Sequence, residues 1–244
     1  MAKLDARKEQ LLAAVVREHA RTAQPVASDR MKEQAGLEVS PATIRAEMAE
    51  LERAGYLKQP HTSAGRVPTE AGYRYYIANC VEEKNAASNA ASKVNAFNDT
   101  MRGGSPEAGR RGSASPESKE ARLKQLAREL AGEIHEGVFV GFAPQSTFYT
   151  GLAYLFEQPE FESVDLVRHM GEIMDNLDHI VAELFEDGAP GVQVYVGSEN
   201  PFGAHCGTVL LRAGSDQPMM GVLGPMRMDY DRTIAMMRML EKIL

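Results

Sequence analysis

The chain is 244 residues long, with 43% hydrophobic and 25% charged residues, which is the composition of an ordinary globular protein. No apolar run reaches the roughly 18 residues that a membrane span requires, so we expect no membrane segment. The net charge of −7 argues against a uniformly basic surface, but the first 84 residues hold 13 Lys/Arg against 12 Asp/Glu, so a basic face there is compatible with a nucleic-acid partner.

Three helices are predicted before Tyr56. Apolar residues recur at helical spacing in "DARKEQLLAAVVREHART" and predict the first helix. Ser28 caps a short second helix. The third helix follows the N-cap Ser40, and Gly55 stands where a helix-terminating glycine belongs. Its predicted apolar face is formed by Ile44, Met48 and Leu51.

Two short strands, "YLKQP" and "RVPT", are predicted after the third helix. Three helices followed by a β-hairpin is the element order of a winged-helix domain, a variant of the helix-turn-helix. A further helix is predicted to begin at Glu70 and to continue through Val81 towards Val94.

A linker and a second domain are predicted in the rest of the chain. Residues 98–118 are rich in Gly, Ser, Pro, Arg and Glu, contain little to bury, and are predicted to be flexible. Helical and strand patterns then alternate, which predicts an α+β domain. In chain order the predicted elements are a helix over Leu123–Ile134, the strand "GVFVGF", one helix over Leu166–Leu184, the strands "VQVYVG", "GTVLLRA" and "MMGVLG", and a helix over Ile234–Leu240.

These patterns divide the chain into three parts. Residues 1–82 are assigned to a winged helix-turn-helix DNA-binding domain, residues 83–122 to a helical extension and linker, and residues 123–244 to the α+β domain. The sequence contains no phosphate-binding loop and no nucleophile with an evident base, and Cys80 and Cys206 lack zinc-site spacing. We therefore predict no catalytic site, metal or cofactor. The N-terminus carries no export signal, which predicts a cytoplasmic protein.

The third helix is predicted to place its N-terminal end in the major groove of double-stranded DNA. Burial of its apolar face turns Ser40, Thr43 and Arg45 towards the duplex. Arg45 is the best candidate for reading a base, because a guanidinium can bridge guanine O6 and N7 with two hydrogen bonds. Charged groups and hydroxyls on the β-hairpin suit the sugar-phosphate chain. The predicted contacts there are Lys58, His61, Ser63 and Arg66.

The run "SPATIR", the spaced "M..LE..G.L" and the run "QPHTSAGR.PT..GYR.Y" resemble the DNA-binding domain of the HrcA-type heat-inducible transcription repressors of bacteria. The resemblance covers residues 4–82 in this half of the chain. One position next to Arg45 differs from the family pattern. Ala46 occupies a position where the family commonly has Asn, so a base contact made by that Asn is absent here.

The second half carries the same resemblance over residues 123–244. "QPEF", "VGSEN" and "GVLGPMRMDYDRTIA" are similar to the family's second domain, which has a GAF-like fold. The segment before "GLAYLFEQPEF", which would include an inserted dimerisation element, is much shorter than in the family. The resemblance implies a cytoplasmic homodimeric repressor of chaperone operons that binds an inverted repeat and whose activity depends on the supply of a chaperonin.

A second interpretation stays open. The α+β domain would bind a small molecule as a sensor, and the winged helix would contact other DNA or a protein partner. A copurified small molecule or a thermal shift with metabolites would favour the sensor. A salt-sensitive mobility shift on an inverted repeat would favour the repressor.

Overall fold

The computed structural model describes residues 3–34, 36, 39–61, 65–81, 116–187, 189–214 and 217–242. The chain forms two compact units. The first comprises Met1–Glu82 with Met226–Tyr230, and the second comprises Glu83–Pro225 with Asp231–Leu244. The described part of the chain contains no helix that is both long and apolar enough to cross a membrane.

Three helices open the first unit, as the apolar periodicity predicts: α1 (Ala6–Thr22), α2 (Ser28–Gln34) and α3 (Pro41–Arg53). Ser28 lies inside α2 and was predicted to be its cap. The apolar stripe of α1 is fully buried, which gives this unit its core. The stripe consists of Leu11, Leu12, Val15 and Val16.

Two antiparallel strands follow, β1 (Leu57–Lys58) and β2 (Val67–Pro68), both shorter than predicted. The segment before β2 also pairs with the loop after α1. The backbone of Val26 donates to the carbonyl oxygen of Arg66 at 2.8 Å, and the backbone of Arg66 donates to that of Val26 at 2.9 Å. A Cβ at Gly65 would lie 2.3 Å from the Val26 oxygen, so this close pairing requires glycine.

Helix α4 (Glu70–Asn79) begins at the N-cap Thr69, whose hydroxyl accepts a hydrogen bond from the backbone of Gly72 at 3.1 Å. It ends at Asn79, so the predicted continuation through Val81 is wrong. The Asn79 side chain donates to the Tyr75 carbonyl oxygen at 2.9 Å, a local bond that competes with the helical ladder. The predicted extension towards Val94 lies outside the described residues.

Three tyrosines of α4 are buried and tie this helix to the N-terminal segment. Each hydroxyl has a partner there, which a buried phenol requires. The pairs are Tyr73 with His19 Nδ1 at 2.7 Å, Tyr75 with the backbone N–H of Leu4 at 3.0 Å, and Tyr76 with Arg17 Nε at 3.1 Å. The tyrosines are therefore part of the core of the first unit.

An antiparallel five-stranded sheet, in the order β4-β3-β7-β6-β5, organises the second unit and confirms the α+β prediction. Side chains of its strands, of α7 and of α8 form one apolar core. The elements are α5 (Pro116–Ile134), β3 (Gly137–Ala143), β4 (Ser146–Thr150), α6 (Leu152–Phe156), a 3-10 turn (Pro159–Glu162), α7 (Val164–Asp175), α8 (Leu177–Asp187), β5 (Gly191–Val196), a 3-10 turn (Gly197–Glu199), β6 (Cys206–Arg212), β7 (Met219–Pro225) and α9 (Tyr230–Glu241).

Three features of this unit differ from the sequence-based expectation. Strand β4 and helix α6 were not predicted. The single helix expected over Leu166–Leu184 is two helices, because Asn176 leaves the helical conformation at φ −106° and its side chain donates to the Glu172 carbonyl oxygen at 2.8 Å. Helix α5 begins at Pro116, inside the predicted linker, and the rest of that linker lies outside the described residues.

Candidate nucleic-acid interface

The N-terminal end of α3 is organised by its own residues. Ser40 is the N-cap, and its Oγ accepts a hydrogen bond from the backbone N–H of Thr43 at 3.1 Å. The two hydroxyls also lie 2.9 Å apart and share a hydrogen bond. Pro41 occupies the first turn, where its missing N–H has no cost. This end of the helix therefore leaves few backbone donors unsatisfied.

Helix α3 has one buried face and one exposed face, as predicted. Ile44, Met48 and Leu51 are at most 1% exposed, whereas Arg45 and Ala46 are exposed. Among the described residues Arg45 has no hydrogen-bond or ion-pair partner. Its guanidinium donors are therefore available to a ligand outside the chain.

The acidic residues of α3 are each paired with a cation from another part of the first unit. Three unpaired carboxylates on one helix would repel a phosphate chain, and the pairing reduces this repulsion. The ion pairs are Arg7 with Glu47, Lys8 Nζ with Glu50 at 2.9 Å, and Arg66 Nε with Glu52 at 2.9 Å.

The Lys8 and Glu50 pair is reflected in the pKa values of both groups. The side-chain hydrogen bond from Lys8 lowers the pKa of the Glu50 carboxyl, and hydrogen bonds to Glu50 and then to Asp5 raise the pKa of the Lys8 ammonium. The two shifts have opposite directions and both favour the charged forms. The pair therefore remains ionised around neutral pH.

The predicted contacts on the β-hairpin fall into two groups. Lys58 and His61 are exposed, and neither has a hydrogen-bond or ion-pair partner among the described residues. Arg66, by contrast, is only 15% exposed at its side chain, and its Nε donates to Glu52. Ser63 lies outside the described residues. The structure thus brings Arg66 to α3 and leaves Lys58 and His61 on the surface.

Sequence reasoning missed the ion pairs that neutralise α3. Glu52 and Arg66 are 14 residues apart in the chain, on a helix and beside a strand, so no helical or strand periodicity links them. Arg7 and Lys8 lie on α1, still farther along the chain from their partners. Opposite charges on elements predicted to pack together indicate possible ion pairs, but the sequence does not determine which of these pairs form.

The described residues contain no group of three or more His, Cys, Asp and Glu side chains arranged to hold a metal ion. Burial raises the pKa of the Cys206 thiol to about 12, so at neutral pH it is protonated and a poor nucleophile. Cys80 is half-buried, and its Sγ lies 3.9 Å from Glu9 Oε1.

The family model described as "HrcA protein C terminal domain" matches residues 75–234. The heat-inducible transcription repressor HrcA of Carboxydothermus hydrogenoformans is 29% identical over an alignment of 332 positions that covers 99% of this chain and 97% of that protein. The alignment is longer than this chain, so the relative has segments that this chain lacks. The protein of the same name from Desulforudis audaxviator is 52% identical over 84 residues, covering 34% of this chain and 24% of that protein.

One solved structure is similar to the fold over 98% of this chain and 97% of its own. It is the crystal structure of a hypothetical protein at 2.2 Å resolution, with a TM-score of 0.69 and 18% sequence identity. At that identity the likeness concerns the fold alone.

Proposed function

This chain belongs to the HrcA family of heat-inducible transcription repressors, and from that premise we propose that it binds double-stranded operator DNA through a winged helix in its first unit. Its curated relatives are named as transcription repressors. The chain is accordingly a transcriptional repressor of heat-shock genes and not an enzyme. We place its action in the cytoplasm, where bacterial operators are found.

The observation that carries the DNA-binding proposal is the charge arrangement of α3. Its N-terminal end presents Arg45 exposed and without a partner among the described residues. Each of its three glutamates lies beside a cation of the same unit, and Glu47 is also buried. This combination suits a recognition helix, because a guanidinium at its N-terminal end can read guanine while the paired carboxylates repel the phosphate chain less than free ones would. Ser40 and Thr43 would accompany Arg45 at the groove edge.

The β1 and β2 hairpin would act as the wing. Lys58 and His61 are exposed and suited to sugar-phosphate contacts, and the hydroxyl of Ser63 would add a further contact. We further propose that the protein binds an inverted repeat as a homodimer, and that its second unit is a GAF-like domain through which a chaperonin modulates repression.

Selection of bound sequences from random duplex DNA with the full-length protein tests this function directly. We expect an enriched inverted repeat, because two copies of one winged helix impose two-fold symmetry on the operator. If no sequence is enriched and a small molecule copurifies with the protein, the interpretation as a small-molecule sensor would replace the proposal of operator binding.

Variants at two exposed cations then separate base reading from phosphate contact. Arg45→Ala should reduce the free energy of binding to the selected site by about 1–3 kcal/mol and relax the base preference at one position per half-site. Lys58→Ala should weaken binding to all DNA sequences about equally. It should also reduce the slope of the logarithm of the binding constant against the logarithm of the salt concentration by about 1. Arg53→Ala, an exposed arginine in the last turn of α3, is the matched control and should retain base preference. Parental binding by Arg45→Ala would show that α3 does not read DNA.

A further inference from the structure

We propose that Glu52 and Arg66 form a positioning pair that holds the hairpin of β1 and β2 against α3, so that the side chain of Glu52 supports operator binding through the hydrogen bond that it accepts from Arg66. This inference rests on the proposed function. It assigns to Glu52 a role in DNA binding that its charge alone would contradict, and it assigns to Arg66 a role other than phosphate contact.

The chain at Arg66 is held at three atoms. Its side-chain Nε donates to Glu52 Oε2 at 2.9 Å, its backbone N–H donates to the Val26 carbonyl oxygen at 2.9 Å, and its own carbonyl oxygen accepts from Val26 at 2.8 Å. Gly65 makes the two backbone bonds possible, since a Cβ there would overlap Val26. Arg66 therefore joins three pieces of the unit, the loop after α1, the hairpin and α3.

The side chain of Glu52 is 33% exposed and that of Arg66 is 15% exposed. In the pair of Lys8 and Glu50 the side chains are 26% and 45% exposed, so the pair of Glu52 and Arg66 is better shielded from solvent. Shielded, charge-assisted hydrogen bonds are stronger and hold their geometry better than exposed ones. Loss of either partner would also leave the other ion partly desolvated. The pair is thus suited to setting the hairpin's position relative to α3.

Glu52 gives the decisive test because two physical effects predict opposite outcomes. If the glutamate affects DNA only through its charge, its removal should strengthen binding to a polyanion. If it positions the hairpin, its removal should weaken binding. Glu50, on the same helix and paired with Lys8, is the matched control in which only the charge effect is expected.

The experiment measures binding of the full chain to the selected operator duplex at several salt concentrations. We expect Glu52→Ala and Arg66→Ala each to weaken binding roughly three- to tenfold, the effect of losing about one hydrogen bond, with the parental salt slope. Glu52→Gln keeps an acceptor for Arg66 Nε and should recover most of the affinity. Glu50→Ala should bind at least as tightly as the parent.

A second readout follows the position of the hairpin without DNA. Hydrogen exchange at the backbone N–H groups of Val26 and Arg66 should accelerate in Glu52→Ala and stay parental in Glu50→Ala, because only the former releases the hairpin. Circular dichroism confirms that each variant is folded.

Two results would overturn the inference while leaving the proposed function intact. One is operator binding by Glu52→Ala that equals or exceeds the parent. The other is a fall of about 1 in the salt slope of Arg66→Ala, which would make Arg66 a phosphate contact. Failure of the parent itself to bind any selected duplex would instead remove the proposed function.

Discussion

At the scale of single residues, two glycines determine how closely the elements of the first unit approach. A Cβ at Gly65 would lie 2.3 Å from the Val26 oxygen, and one at Gly72 would lie 2.2 Å from the Tyr56 oxygen. Both contacts are with backbone atoms, which cannot move aside as a flexible side chain can. The glycines in the runs "SAGR" and "EAGYR" are therefore required by packing, whatever the unit binds.

The substitution Gly65→Ala tests this requirement. We expect the two backbone hydrogen bonds between Val26 and Arg66 to break and the free energy of unfolding to fall by about 1–3 kcal/mol. Gly171→Ala is the control, because this glycine lies in α7 and a Cβ added there would have no atom within 4 Å, so alanine should gain up to about 1 kcal/mol from helix propensity. Urea unfolding followed by circular dichroism measures both. Equal stability of the two variants would contradict the packing argument.

Arg212 is a buried cation at the end of β6. It is 2% exposed, its Nη1 donates to the Phe185 carbonyl oxygen at 3.0 Å, and its Nε and Nη2 have no hydrogen-bond partner among the described residues. Desolvation lowers the pKa of this guanidinium. One hydrogen bond therefore compensates only part of the cost of burying the charge.

We expect Arg212→Met to leave the free energy of unfolding within about 1 kcal/mol of the parent or to raise it, because methionine fills a similar volume without desolvated donors. Arg212→Ala should cost about 2–4 kcal/mol through the cavity it creates. Chemical denaturation in the presence and absence of inorganic phosphate measures both effects. A loss of several kcal/mol in Arg212→Met, or stabilisation of the parent alone by phosphate, would show instead that the donors hold a partner or an anion.

At the scale of elements, α1 and α3 are joined by ion pairs whose effect depends on pH. The carboxyl of Glu50 has a lowered pKa because Lys8 donates to it, so its contribution to stability is present above its unfolded pKa and is lost as the pH falls through its folded pKa. The ammonium of Lys8 has a raised pKa, so its contribution is present below its unfolded pKa and is lost as the pH rises through the folded value. The pair therefore contributes across the neutral range and is lost at both extremes.

The variant Lys8→Met should return the pKa of Glu50 towards the ordinary value of 4.5. An NMR titration of the Glu50 carboxyl measures this change. The pKa of Asp5 should stay lowered, since the backbone N–H of residue 8, which the substitution retains, is its largest cause. An unchanged Glu50 pKa in the variant would mean that Lys8 does not hold this carboxyl in solution.

Elements with long apolar periodicity could be predicted from the sequence, whereas those defined by packing could not. Helices α1 and α3 show their buried faces in the residue spacing, and α3 also carries a local cap and a proline. Strand β4 is a five-residue edge strand with mostly exposed or half-buried side chains, so it lacks a recognisable apolar alternation. The break at Asn176 leaves the apolar spacing of α7 and α8 continuous, which is why one helix was expected.

The candidate site likewise contains residues that local sequence predicts and residues whose environment depends on packing. Ser40, Thr43 and Arg45 follow from the cap and from the burial of one helical face, both of which are local properties. The environment of Arg66 depends on Glu52, which is distant in sequence and near only after α3 and the hairpin pack together. The hydrogen bond from Arg66 to Glu52 could therefore be learned only from the tertiary structure.

At the scale of the whole molecule, charge is unevenly divided. Residues 1–84 hold nearly equal numbers of basic and acidic residues, so the net charge of −7 comes from the remainder of the chain. An acidic remainder disfavours nonspecific association with DNA, so selection of the operator would depend on the specific contacts that we propose for the first unit. Such a protein should discriminate well between its operator and other sequences at physiological salt.

The symmetry of the operator provides the test at this scale. If one copy of α3 reads a short half-site, as we propose, two copies of the chain should bind one inverted repeat, with half-sites separated by about one helical turn, 10–10.5 base pairs, or a multiple of it. Inserting about five base pairs between the half-sites would rotate them to opposite faces of the duplex and should weaken binding, whereas inserting a full turn should be tolerated better. Sedimentation of the complex measures the stoichiometry, and titration of the three duplexes measures the spacing dependence. One protein copy per operator, or equal affinity for all three duplexes, would contradict a symmetric dimer and favour independent binding of single winged helices.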